Sequence, residues 1–304
     1  MTPRASLDGK VAVVTGATGG MGQVIARALA RSGVHVITVA RAPRRAESLR
    51  SQIADDPGPG RLEVIAGDLS QTAGLIDSTS AILAQHEAVH ILINNAGAHF
   101  REHLLSLDGL EMHIAVDYLP AYAMTHLLQD ALIRGKARVV NVASDALRDT
   151  RQVKLLSRPR PATLDPNNLD DLTRLNKAEG FVPFEAYARA KLLTVIATYG
   201  QAKTLRSAGV TVNAVHPGIV ATDIIDNLIP RALRPMELAI RRFMLTPEQG
   251  AAAALRLATD ETLAGISGRY FVRDIDTPTP AISYDTITQQ RLRDSSNRFL
   301  ALAK

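Results

Sequence analysis

The sequence predicts an α/β protein built on a doubly wound, mostly parallel sheet, and three observations carry that expectation. Seven short runs rich in Val and Ile recur along the chain, and helical periods fill most of the intervals between them. The runs are apolar at consecutive positions, as expected of strands covered by helices on both faces. A length of 304 residues, with no Ser/Gly-rich linker, suits a single domain over residues 1–304.

The first run, 11–14, passes directly into Thr15-Gly-Ala-Thr-Gly-Gly-Met-Gly22, followed by a helical pattern over 24–30. Strand, glycine loop and helix in that order suit a dinucleotide. Gly16 permits the tight turn, Gly20 lets backbone approach a pyrophosphate, and Gly22 lets the helix pack closely on the strand. The helix N-terminus then faces the phosphates. Thr18 and Met21 of the same loop are placed with these glycines in the cofactor site.

The second run, 34–39, leads into Ala40-Arg41, where an NAD-specific site places an acid on the ribose 2′-hydroxyl. Arg41 instead favours the 2′-phosphate, so NADP(H) is expected in preference to NAD(H). Arg44 and Arg45 either add to that charge or are solvated at a helix start. The stretch Asp56-Pro-Gly-Pro-Gly60 reads as a surface turn before the third run, 62–66. The remaining runs are 90–93, 138–142, 210–215 and 269–272, with no repeat at a solenoid period.

The helical interval before the sixth run holds Tyr187-Ala-Arg-Ala-Lys191. A Tyr and a Lys four residues apart on a helix share one face, with Cβ atoms about 5–6 Å apart. An ammonium near a phenol favours the phenolate and lowers its pKa towards the working pH, which suits a general acid/base. The plainer alternative is a Tyr packed under a Lys stem.

The formal charge of +5 arises from 28 Arg and 7 Lys against 30 acids. The cations are scattered, with a denser group at Arg148, Arg151, Lys154, Arg158 and Arg160, and no aromatic residues interleave with them for base stacking. No nucleic-acid partner is expected; an anionic cofactor or substrate uses such charges more simply. The chain has no cysteine, which excludes disulfides, thiolate catalysis and cysteine-ligated metals, and no metal site is assigned. The first ten residues lack an apolar segment, and no stretch runs 18 apolar residues without a charge. The expectation is a cytoplasmic protein without a membrane span.

Taken together these pieces resemble the short-chain dehydrogenase/reductase family, a Rossmann-type fold, and within it the retinol-dehydrogenase-like group. The resemblance covers nearly the whole chain. It includes Asp68-Leu69, Asn94-Asn-Ala-Gly97, Gly109-Leu-Glu-Met-His-Ile-Ala-Val116, Arg138-Val-Val-Asn-Val-Ala-Ser144, Val212-Asn-Ala-Val-His-Pro-Gly218, Leu245-Thr-Pro-Glu-Gln-Gly250 and Gly268-Arg-Tyr-Phe271. By that resemblance Ser144 hydrogen-bonds a substrate carbonyl, Tyr187 gives it a proton, and Lys191 binds the nicotinamide ribose and depresses the Tyr pKa. The hydride comes from the nicotinamide. Asp68 and Leu69 lie against adenine, Asn94, Ala96 and Gly97 line the cofactor, and Pro217, Gly218, Ile219 and Thr222 fix the carboxamide edge. The resemblance also implies a homodimer or homotetramer.

Three departures stand out. Asp117 occupies a position where the family's catalytic set has Asn, followed by Tyr118 and Pro120 where His and Gly are more typical. Asp either preserves a backbone carbonyl contact of a proton relay, or pairs with Lys191 and raises the Lys pKa. Second, Tyr187 follows Ser144 by 43 positions, and a loop over 145–186 is long for a connection without structure. Its part 148–161 either covers the site and meets an anionic substrate group, or is a solvated excursion. Third, the segment 223–245 is expected to form a variable substrate lid, with Ile224, Leu228 and Phe243 among Arg231, Arg234, Arg241 and Arg242. It suits a hydrophobic substrate, a membrane-surface helix or ordinary packing.

The leading expectation is therefore an NADPH-dependent oxidoreductase acting on a bulky apolar ketone, aldehyde or alcohol. The alternative keeps fold and cofactor but uses Tyr187 for isomerisation, cyclisation or dehydration. A nucleotide-sensing protein without catalysis is disfavoured because Ser144, Tyr187 and Lys191 are all present.

Overall fold

A computed structural model describes residues 7–56, 58–151, 158–221 and 244–301. The expected lid, apart from its last two residues, and Thr222 lie outside them. All seven expected runs form strands: β1 Val11–Val14, β2 His35–Ala40, β3 Arg61–Ala66, β4 Ile91–Asn94, β5 Arg138–Val142, β6 Thr211–His216 and β7 Tyr270–Val272. They form one sheet in the order β3-β2-β1-β4-β5-β6-β7, all parallel. A short β8, Ile275–Asp276, adds an antiparallel edge that the sequence did not announce.

Four strands begin one residue later than their apolar runs, and two of them, β2 and β6, share one physical reason. Val34 and Val210 each follow a left-handed glycine, Gly33 (φ +87°) and Gly209 (φ +80°). Their N–H groups close the preceding helix by bonding back to Leu29 O at 3.2 Å and Leu205 O at 3.3 Å. Both are therefore the apolar residue of a helix C-terminal cap.

Strand alternation divides the core. Ala12 and Val14 pack towards helices α1 (Gly20–Arg31) and α7 (Pro247–Thr259), whereas Val13 faces the other layer. That second layer contains α3 (Thr72–Gln85), α4 (Leu119–Leu127), the short α5 (Gln129–Arg134) and α6 (Pro183–Leu205), while the short α2 (Glu47–Ala54) packs beside α1. The last helix, α8 (Thr286–Ala301), lies over α4 and α6. It accounts for one departure from the family pattern: Tyr118 is fully buried and its hydroxyl meets Ser296 Oγ at 2.6 Å. Tyr122 likewise donates to Asn297 Oδ1 at 2.6 Å. Pro120 sits in the first turn of α4, where a missing N–H costs no helical bond.

The strand order reverses between β1 and β4, so the loops after these strands part and leave a crevice at their carboxyl ends. The loop 145–186 is not structureless. It carries 3₁₀ turns at Pro166–Asp170 and Leu172–Arg174 and buries Leu169, Leu172 and Leu175. Among the described residues, no helix is long and apolar enough to cross a membrane.

Candidate active site

The crevice is a cleft of about 830 Å³. Its cofactor-like half is built by the turn after β1. Gly16 has φ +67°, which favours glycine, and a Cβ on Gly22 would stand 2.2 Å from Gly16 O. The close approach at Gly22 is therefore the first turn of α1 against the turn just past the end of β1, rather than against the strand itself. Helix α1 starts at Gly19 with no side-chain cap and no acid in its first turn, which leaves N–H groups directed into the cleft. Thr18, Gly20, Met21, Ala96 and Gly97 line the same half. Arg41 and Arg45 are exposed at its rim, and Asp68 and Leu69 lie along it. The Asp68 carboxylate is engaged locally, accepting from Ser70 N at 3.0 Å and Ser70 Oγ at 2.7 Å.

Asn94 is a correction. It does not face the cleft; its amide donates to Asn141 Oδ1 at 2.8 Å and Ala121 O at 3.2 Å, tying β4 to β5 and α4. The residue that faces the cleft is Asn95, which donates through Nδ2 to Thr15 O at 3.0 Å and so holds the two loops together. Pro217, Gly218 and Ile219 line the opposite wall.

Ser144, Tyr187 and Lys191 converge at the other half. Ser144 lies two residues past β5 and caps a 3₁₀ turn, its Oγ accepting from Ala146 N at 3.3 Å. Tyr187 and Lys191 share the inner face of α6, Lys191 Nζ standing 5.7 Å from the Tyr187 ring centroid. The Ser144 hydroxyl lies close enough to the phenol to draw its pKa down. His99 and His113 meet that ring edge-on, and Phe184 stacks on it at 6.3 Å.

Asp117 does not line the cleft. It is 2% exposed behind Lys191, in a π-helical turn, Ile114–Tyr118, that precedes α4. Its Oδ1 accepts from Ala98 N at 3.0 Å and pairs with Lys191 Nζ at 3.2 Å, while Oδ2 has no hydrogen-bond partner among the described residues. Lys191 Nζ also donates to Val142 O at 3.2 Å. The carboxylate therefore makes the Lys191 contact, and the Asp117 backbone carbonyl accepts from the Thr194 hydroxyl at 3.0 Å.

The electrostatics follow. Burial is the largest single influence and pulls the Lys191 ammonium down, but the Asp117 carboxylate and the Tyr187 phenol together leave Lys191 above its ordinary value. Burial also dominates Tyr187 and pushes its pKa up. Lys191 and the Ser144 hydroxyl act downward, and the Asp117 carboxylate adds to the rise. The sequence-based expectation of a lowered Tyr pKa is thus reversed in this structure, although Lys191 acts in the expected direction.

A buried polar network beside Tyr187 escaped sequence reasoning. Phe100 N–H donates to His113 Nε2 at 3.0 Å, so His113 Nδ1 carries the proton and donates to Glu111 Oε1 at 2.8 Å. Glu111 Oε2 accepts from Asn176 Nδ2 at 2.7 Å, and Arg189 donates to Asn176 Oδ1. Asn176 belongs to the long loop, with φ +55°. The loop is therefore anchored to the wall beside the phenol. Its segment 148–161 returns to the cleft as well: Asp149 and Arg151 line it, forked together at 2.8 and 2.7 Å, while 152–157 lies outside the described residues.

Comparison with known proteins agrees with this geometry. A family model described as short chain dehydrogenase matches residues 10–154. Retinol dehydrogenase 12 of Bos taurus is 36% identical over 271 residues, 87% of this chain and 78% of that protein. Polyprenol dehydrogenase of Homo sapiens is 30% identical over 294 residues, 94% and 84% respectively. A solved structure from Beutenbergia cavernae, assigned as an NAD(P) dependent gluconate 5-dehydrogenase with NADP bound at low occupancy, has a TM-score of 0.65 at 27% identity. It covers 88% of this chain and 96% of that one.

Proposed function

We propose that this chain, which belongs to the short-chain dehydrogenase family, is an NADP(H)-dependent oxidoreductase of a bulky apolar alcohol and its carbonyl partner. The observation that carries the reading is the convergence of Ser144, Tyr187 and Lys191 opposite the glycine loop in one cleft. The cleft fits a dinucleotide: the tight Gly16–Gly22 approach and the uncapped start of α1 suit a pyrophosphate. Ala40 leaves the end of β2 without a carboxylate, and Arg41 and Arg45 at the rim suit a 2′-phosphate. When bound, the cofactor supplies or accepts the hydride.

In this reading Ser144 Oγ donates to the substrate oxygen and the Tyr187 hydroxyl passes it a proton, or takes one back in the reverse direction. Lys191 holds positive charge beneath the phenol, and Asp117 holds Lys191 in place. Phe100, Met112, Phe184 and Met244 supply an apolar surface on the substrate side, which suits a long hydrocarbon. Similarity to retinol and polyprenol dehydrogenases favours isoprenoid alcohols and aldehydes as the candidates to test first.

The test is to incubate the protein with NADPH or NADH and a panel of isoprenoid aldehydes and bulky ketones, following cofactor absorbance and product together. Equimolar consumption of NADPH and formation of alcohol supports the reading. Product without cofactor consumption would replace it with the non-redox alternative, and equal affinity for NADPH and NADH would remove the assignment of Arg41.

A further inference from the structure

Far from the cleft, at the amino ends of the strands, three side chains from separate elements converge. His35 begins β2, Glu63 lies in the edge strand β3, and His86 closes α3. The register explains the first pair: His35 is opposite Arg61, so Glu63, two residues on, projects from the same face as a diagonal neighbour. His86 arrives from α3, with its backbone N–H fixed to Ile82 O at 2.9 Å. Both imidazoles direct Nε2 at one carboxylate oxygen: His35 Nε2 and His86 Nε2 stand 3.2 and 3.0 Å from Glu63 Oε2. The three ligand atoms all lie within 4.8 Å of one another. The side chains are only 13%, 22% and 10% exposed for His35, Glu63 and His86.

We propose that His35, Glu63 and His86 form a zinc(II) site that fastens the edge strand to α3. Two imidazole nitrogens and one carboxylate oxygen are a donor set that zinc accepts, with water completing the fourth position. Bonds of about 2.0–2.1 Å in a tetrahedral site place ligand atoms roughly 3.3 Å apart. The two observed separations already lie close to that edge length, so the ion enters with small side-chain movements. Three anchored elements hold the donors before the ion arrives, which lowers the ordering cost of binding.

One contact opposes the ion and sharpens the test. Arg61 lies 3.2 Å from His35 Nδ1. A guanidinium only donates, so it holds Nδ1 unprotonated and leaves the proton on Nε2, facing Glu63. Zinc at Nε2 transfers that proton to Nδ1 and displaces the exposed Arg61 side chain. Removing Arg61 should therefore strengthen binding.

The experiment is calorimetric titration of the tag-free, chelator-stripped full chain with zinc chloride, with cobalt(II) as the spectroscopic probe. One ion per chain is expected, with a Kd in the micromolar range or tighter, corresponding to at least about 8 kcal/mol of binding free energy. His86→Ala and His35→Ala should each weaken binding at least about 100-fold, more than a lost supporting contact costs. Arg61→Ala should tighten it several-fold. Cobalt should give the intense visible bands of a four-coordinate site. Circular dichroism of the metal-free variants verifies folding, and Arg61→Ala, which removes no ligand, keeps the test open if a histidine variant unfolds. Uptake unchanged in a folded His86→Ala places the ion elsewhere and overturns the proposal. So does a wild-type chain that binds no zinc below millimolar concentration, or an Arg61→Ala chain that binds more weakly.

Discussion

Asp117→Asn is the substitution that reads the chemistry of the cleft most directly, because it removes one charge and almost no volume. The carboxylate Oδ1 is 3.2 Å from Lys191 Nζ, which is itself 5.7 Å from the Tyr187 ring centroid. Asp117 Oδ1 thus lies at most about 9 Å from that centroid. At an effective dielectric constant of 20, a unit charge at about 9 Å disfavours the phenolate by roughly 1.8 kcal/mol. That amounts to about 1.3 pH units. The amide oxygen of Asn can still accept the Ala98 N–H, so the loop after β4 should hold its place.

The sign is fixed by the directions in the structure. Asp117 acts to raise Tyr187, so its neutralisation should lower the apparent Tyr pKa. The limb of the pH–rate profile should move to acid in both directions of reaction: oxidation should gain rate at lower pH, and reduction should lose it at lower pH. Lys191 should fall too, since Asp117 is the leading cause of its rise. The two groups interact, so the profile reports values belonging to the pair. Steady-state kcat measured against pH for wild type and Asp117→Asn is the assay. Superimposable profiles with equal turnover would refute the electrostatic argument and reduce Asp117 to its backbone and loop contacts.

Tyr187→Phe keeps the ring and removes the proton donor; turnover should fall at least about 10²-fold with cofactor affinity nearly unchanged, as read by single-turnover kinetics and titration. Ser144→Ala should lose less and in the same parameter. Arg41→Ala should weaken NADPH by roughly 10- to 100-fold and NADH little, measured by calorimetry. Gly97→Ala places a Cβ 2.8 Å from Asp117 Oδ1 and 3.2 Å from Lys191 Nζ, so it should part the ion pair and lower kcat, measured in the same steady-state assay. Asn176→Ala removes the donor to buried Glu111 Oε2 and should cost about 1–3 kcal/mol of stability in urea unfolding.

What the sequence made legible was whatever is encoded within a few neighbouring residues. The buried strands are continuous apolar runs, the phosphate turn is a glycine pattern between a strand and a helix, and Tyr187 and Lys191 are one helical turn apart. The short edge β8 has no such signature, because two exposed residues, Ile275 and Asp276, carry no periodicity. Asn94 and Asn95 show the finer limit. They are identical in type and adjacent, and only the pleat of β4 decides which enters the core and which faces the cleft.

Asp117 lay between these cases: its oddity was visible, and so was its partner, but that its carboxylate meets Lys191 while its carbonyl meets Thr194 depended on the π-helical turn that sets the two in different directions. The polar network around Glu111 was invisible because its links span 65 positions to Asn176 and 13 more to Arg189, and no local pattern marks such a pair. Glu111 keeps its carboxylate below the ordinary range although burial alone would raise it, because His113 and Asn176 donate to it. A charge held that way costs stability unless every partner is present. The long loop therefore does more than line the cleft. It supplies Asn176, without which the wall against the Tyr187 ring would hold an under-bonded carboxylate, so the loop and the turn of α6 that carries Tyr187 have to fold as one unit.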